Sequence, residues 1–154
     1  MSHTPDTFVY PLDQHPAESM VIHCADPRFQ VPIRRFVTES LGVKNYLPII
    51  RGGGVHALGA KGYAPREFDT LWHQVTFMLD LFKLPEVIIF GHEDCRWYQN
   101  HAEHYHGVDP ATKCKTDLPM VALMLSEAYP TMTIRLFWAG IEGENVRFEK
   151  VTFE

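Results

Sequence analysis

Residues 66–90 leave this chain few folds to choose from. Phe68, Leu71, Val75, Met78, Leu79 and Phe82 recur at helical spacing between Arg66 and Lys83, which predicts a helix with one apolar face. Pro85 stops it. Glu86 to Phe90 then reads E-V-I-I-F, the strongest strand pattern in the sequence, and runs directly into G-H-E-D-C.

The same alternation recurs on either side. Ser19 to His23 reads as a buried strand ending in C-A-D-P-R, and Phe29 to Leu41 as a helix, with Pro32 tolerated in its first turn and Gly42 as its stop. Tyr46 to Ile50 is a second strand, closing on Arg51 and three glycines. Cys95 to Tyr105 begins another helix. A loop carries the chain to Lys115, and a helix over Thr116 to Tyr129 turns Leu118, Val121, Leu125 and Ala128 inward. Met132 to Trp138 is a fourth strand, and Asn145 to Phe153 returns antiparallel after the turn-like E-G-E-N. Strands alternating with helices call for an α/β fold, a mainly parallel sheet with right-handed crossovers and helices on both faces. Residues 1–18, broken by Pro5, Pro11 and Pro16, read as an N-terminal arm, and 19–154 as a single α/β domain.

Composition narrows the function. A net charge of -5 argues against a nucleic-acid or anionic-membrane surface. No apolar run approaches the roughly 18 residues of a membrane span, and Met1 to Tyr10 lacks a secretory pattern, so the expected compartment is the cytoplasm. Three cysteines cannot all pair, which points to buried, catalytic or metal-bound thiols.

Both cysteine-bearing loops fall at predicted strand C-termini, where ligands bind in open α/β sheets. His92 and Cys95 stand i and i+3 on a tight turn, so both side chains can face one point. With Cys24 they make three borderline-soft ligands, a set that suits zinc and leaves a fourth position open. Without context, the same residues read equally as two unrelated thiols and a core histidine. Asp26 and Arg28 share the loop after Cys24, and a guanidinium can orient a carboxylate through two parallel hydrogen bonds. Gly52, Gly53 and Gly54 fit no phosphate-loop pattern but suit a close-approach loop whose amides could hold an anion. His101, His104 and His106 read as a solvated helix end, and Cys114 as a free loop thiol.

C-A-D-P-R at 24–28 and H-E-D-C at 92–95, with a glycine-rich loop between, resemble the C-x-D-x-R and H-x-x-C motifs of the β-class carbonic anhydrases. The resemblance runs from about Met20 to the last strand. It implies Cys24, His92 and Cys95 as ligands of a Zn2+ cofactor, Asp26 and Arg28 as a catalytic dyad, and a sheet ordered 2-1-3-4 with an antiparallel fifth strand. Departures fall around the pocket: Pro27 stands where the family commonly has serine, R-G-G-G-V at 51–55 replaces R-N-A-G-N, and Arg96 follows Cys95 in place of glycine.

The activity so implied is reversible hydration of carbon dioxide to bicarbonate and a proton. Two thiolates neutralise a charge that three imidazoles would leave on zinc. Water at the site should therefore be less acidified than the value of about 7 in three-histidine carbonic anhydrases, favouring alkaline pH. Hydrolysis of carbon disulfide or carbonyl sulfide, and a structural zinc closed by Asp26, remain open on the motifs alone. A disulfide between Cys24 and Cys95 is a further alternative. The resemblance also implies a homodimer or larger homo-oligomer, and Trp72, Phe77 and Phe82 make the helix at 66–83 too apolar for one core face.

Overall fold

The central strand β1, Ser19–Cys24, is buried at every position in the computed structural model, which describes residues 6–153. Strand β3, Glu86–His92, is buried at all but its first residue. Such strands alternate between two apolar layers. Met20, Ile22, Val87 and Ile89 join one cluster with Phe68, Leu71, Val75 and Leu118, whereas Val21, Ile88 and Phe90 join a second with Phe29, Ile33 and Val37. Helices α2 (Pro65–Phe82) and α4 (Pro110–Ala128) cover the first layer, and α1 (Gln30–Arg35) covers the second.

The five-stranded sheet runs in the order β2-β1-β3-β4-β5, with β2 at Tyr46–Arg51, β4 at Thr133–Glu142 and β5 at Asn145–Val151. β1 is parallel to both β2 and β3, β3 to β4, and β5 returns antiparallel. The chain moves outward from β1 to β2, then crosses back over β1 to β3. That reversal opens a crevice at the C-terminal ends of β1 and β3, where Cys24 and His92 emerge.

Four expectations from the sequence need correction. The helix expected over 29–41 divides: after α1, residues Phe36–Ser40 form a π-helical turn in which the Leu41 N–H donates to the Phe36 carbonyl at 3.0 Å. The wider turn seats Phe36 among Phe90, Phe137 and Phe148. Helix α3 is short, Arg96–Asn100, and a separate 3-10 turn at Ala102–His104 follows it. Helix α4 begins at Pro110, not Thr116, so Cys114 is a buried helical thiol rather than a loop residue. Pro119 lies inside the helix, where it lacks the N–H for an i→i−4 bond. Finally, Ala128 and Phe82 are exposed, and Met78 is half-buried.

Pro110 can open α4 because Asp109 caps it, accepting from the N–H groups of Ala111 (3.0 Å) and Thr112 (3.4 Å) and from the Thr112 hydroxyl. Asp109→Ala removes these bonds and is expected to cost about 1 kcal/mol. For a chain of this size that lowers the thermal midpoint by about 2–4 °C. A melting curve indistinguishable from wild type would show that the cap contributes nothing.

Residues 6–18 contain no helix or strand; Pro5 lies outside the described residues. The segment is tied at its end, where the Glu18 N–H donates to the Asn45 carbonyl and the Asn45 side chain donates to the His15 carbonyl. Its apolar residues Phe8, Val9, Tyr10 and Leu12 are all more than four-fifths exposed.

Candidate metal centre

Cys24 is the last residue of β1, His92 the last of β3, and Cys95 follows two turn residues later, as the N-cap of α3. Asp94 makes this return possible by adopting φ 59°, in the left-handed region. The sulfurs of Cys24 and Cys95 and a ring nitrogen of His92 lie within 4.8 Å of one another, and all three residues are buried. Among the described residues no other group of this kind forms; His101, His104 and His106 do not gather into one.

His92 turns one ring nitrogen toward the two sulfurs and commits the other to the backbone. Its Nδ1 lies 2.7 Å from the Glu93 carbonyl, which fixes the proton on that nitrogen, and Phe29 packs on the ring at 4.3 Å. Its Nε2 is fully buried and has no hydrogen-bond partner. A buried, unpaired acceptor is costly unless something else fills its lone pair. The two sulfurs stand 4.0 Å apart, about twice the length of a disulfide bond. Two sulfurs each about 2.3 Å from a tetrahedral zinc are about 3.8 Å apart, so the donor set fits that ion.

The electrostatics favour one thiolate before any metal arrives. Cys24 is driven well below the ordinary thiol range, chiefly by a hydrogen bond from Cys95 and against the opposing effect of burial. Cys95, the donor, moves the other way for the same reason.

Asp26 stands beside this group and not within it. Arg28 grips its carboxylate in a fork, Nε to Oδ1 at 3.1 Å and Nη2 to Oδ2 at 2.8 Å, while the Arg28 N–H adds a bond of 2.9 Å. These bonds, the side-chain pair foremost, hold the Asp26 carboxyl below its usual range. Arg28 is itself anchored on the opposite loop, donating to the Asp94 carboxylate (3.1 Å) and carbonyl (3.2 Å). Gln99 holds the other Asp94 oxygen at 3.0 Å.

This architecture matches solved structures along most of its length. The chain is similar to a carbonic anhydrase from Streptococcus mutans (TM-score 0.54, 13% identity, 95% of this chain and 87% of that one). It is similar also to tetrameric β-carbonic anhydrases from Sordaria macrospora (TM-score 0.52, 13%, covering 89% and 83%). A third is a β-carbonic anhydrase from Aspergillus fumigatus (TM-score 0.50, 12%, covering 87% and 76%). The chain has the β-carbonic anhydrase fold. No protein-family model and no curated protein sequence matches it.

Within this β-carbonic anhydrase fold the glycine loop packs against the strand end that carries Cys24. The Gly54 N–H donates back to the Arg51 carbonyl at 2.9 Å. Gly54 takes φ +60° and passes against the backbone of Cys24, 3.3 Å from where a Cβ would sit, so the loop is a close-approach segment. Gly52 lines a cavity of about 440 Å³ with Cys24, Asp26, Arg28, Arg96 and Trp97.

Sequence reading missed three residues here. Asp94 anchors the dyad, Trp97 walls the cavity, and buried His56 accepts the Trp97 indole hydrogen bond at 3.1 Å. Nothing in their spacing announces them, because each acts across loops far apart in sequence. Behind them Asp117, buried on α4, accepts from the Tyr98 hydroxyl (2.7 Å) and from Lys113. Burial pushes its carboxyl up.

Proposed function

We propose that this chain binds zinc through Cys24, His92 and Cys95 and catalyses the reversible hydration of carbon dioxide to bicarbonate and a proton. The observation that carries the reading is the buried, unpaired Nε2 of His92 facing two sulfurs at zinc-compatible separation, beside a carboxylate already fixed by an arginine. Zinc, when bound, supplies a Lewis acid that generates a nucleophile from water near neutral pH.

The chain's own residues do the rest. Asp26, ionised and acceptor-only, can take the hydrogen bond of the attacking hydroxyl group and so aim its lone pair at carbon. Arg28 keeps that carboxylate from rotating, and its fork satisfies both oxygens. Because Asp26 faces Arg28, the geometry favours an open fourth position over a site closed by the carboxylate. The separation of the sulfurs, with all three cysteines unbridged, speaks against a Cys24–Cys95 disulfide.

The test is carbon dioxide hydration by protein of measured zinc content, from about pH 7 to about pH 9, which spans the acidities known for water on zinc. Activity that rises with pH supports the reading. Stoichiometric zinc with no hydration at any pH makes the metal structural.

Residues 19–154 act in this reading as one zinc-binding domain, with 1–18 as an arm and the reducing cytoplasm as its compartment. No helix among the described residues is long and apolar enough to cross a membrane. The protein should assemble as a homodimer or larger homo-oligomer. Phe77, Leu81 and Phe82 leave the outer face of α2 more than half exposed, and the arm presents a further apolar run. Sedimentation velocity at micromolar concentration is expected to show a dimer or larger; a single monomeric species would refute it.

A further inference from the structure

Trp97 is held more firmly than a surface aromatic needs to be. Its one polar atom, Nε1–H, points away from the cavity and donates to His56 Nδ1. His56 is 2% exposed, and its Nε2 meets the hydroxyls of Tyr105 (3.1 Å) and Tyr63 (3.0 Å). Burial, foremost, and the positive charges of Lys113 and Arg51 bring it down to about 4, so it is a neutral acceptor at Nδ1 with its proton on Nε2. On the other side, a Cβ on Gly52 or Gly53 would come within 2.3 Å or 2.5 Å of indole carbons. Only glycines let the ring lie against the loop backbone. The His101 ring stacks on the indole at 4.9 Å.

The result is a fixed apolar surface that offers the cavity no hydrogen bond. Trp97 packs on the apolar cluster that contains Cys24 and Cys95, and Cys24 beneath it is only 8% exposed. We propose that Trp97 is the specificity wall of the cavity over Cys24, admitting small neutral molecules and excluding bulkier acyl compounds, and that His56 is the residue that positions it. The choice of substrates rests on the proposed function; the wall itself does not.

Trp97→Ala, loaded with zinc, is expected to raise 4-nitrophenyl acetate hydrolysis relative to carbon dioxide hydration by about tenfold or more, the scale on which apolar pockets discriminate. The same variant, treated with a chelator, should show a similar rise in alkylation of Cys24 by N-phenylmaleimide relative to iodoacetamide, read by peptide mass. The alkylation ratio decides the wall even if wild type hydrates no carbon dioxide, an outcome that would refute the proposed function alone. An alkylation ratio within about twofold of wild type overturns the wall.

His56 is tested by a pair of variants. Asparagine places an acceptor where Nδ1 stands, and glutamine places one where Nε2 stands. His56→Asn should retain the exchange-protected Trp97 indole resonance in a nitrogen-15 spectrum and the wild-type alkylation ratio, while His56→Gln loses both. If the two variants behave alike, His56 does not position Trp97.

Discussion

Asp26→Ala should retain nearly all its zinc and lose carbon dioxide hydration by about a hundredfold or more, the cost of a reacting group left unoriented. The carboxylate lies outside the group of Cys24, His92 and Cys95, so removing it leaves those three residues intact. Arg28→Ala should behave alike, because both Asp26 oxygens lose their fork and the carboxylate can rotate or approach the metal. Arg28→Lys should recover only part of the rate, since an ammonium cannot make two parallel bonds. The Asp26 carboxyl is held below its usual range by Arg28, so the stabilisation from this pair is complete above the unfolded carboxylate value of about 3.9 and fades only as pH falls through the lower folded value. The expected alkaline rise in wild-type rate is therefore not a titration of Asp26. Hydration by Asp26→Ala equal to wild type would remove the dyad from the mechanism while leaving the metal assignment standing.

Loss of the metal itself is the second large effect. Cys24→Ser, His92→Ala and Cys95→Ser should each release zinc, measured as metal per chain after desalting. Structural zinc contributes on the order of 10 kcal/mol in small peptides. Here the sheet and helices provide a core without it, so the ion should stabilise the fold and not create it. With free zinc at a thousand times its dissociation constant the added stability is about 4 kcal/mol. That corresponds to a chelator-induced fall in midpoint of about 10 °C for this chain length. His92→Ala should show no chelator effect. Full zinc retention by any two of the three variants would end the assignment.

Asp26 and His92 illustrate how unevenly this site is written in the sequence. Asp26 and Arg28 lie two residues apart, and their fork is local chemistry that a C-x-D-x-R loop nearly dictates. The same holds for His92 and Cys95, whose tight turn brings them to one point. Strand order, too, was legible through the resemblance, and the parallel register of β1 with β2 and β3 agrees with it. The boundaries of α1, α3 and α4 were not. A π turn is selected by what Phe36 packs against, and an internal proline is tolerated when burial of Leu118, Val121 and Leu125 outweighs one lost bond.

By itself, then, the sequence determined the alternation of apolar strands and amphipathic helices, the strand ends that carry the thiols and imidazole, and the pairing of Asp26 with Arg28. These follow from periodicity and short-range geometry. Only the tertiary structure decided that His92 Nε2 is left unpaired, that Arg28 is anchored through Asp94, and that Gly52 and Gly53 are the seat of Trp97 held by His56. Each of these depends on residues from separate loops meeting at the sheet's switch point. No spacing encodes such meetings, because the packing that creates them is shared by the whole fold.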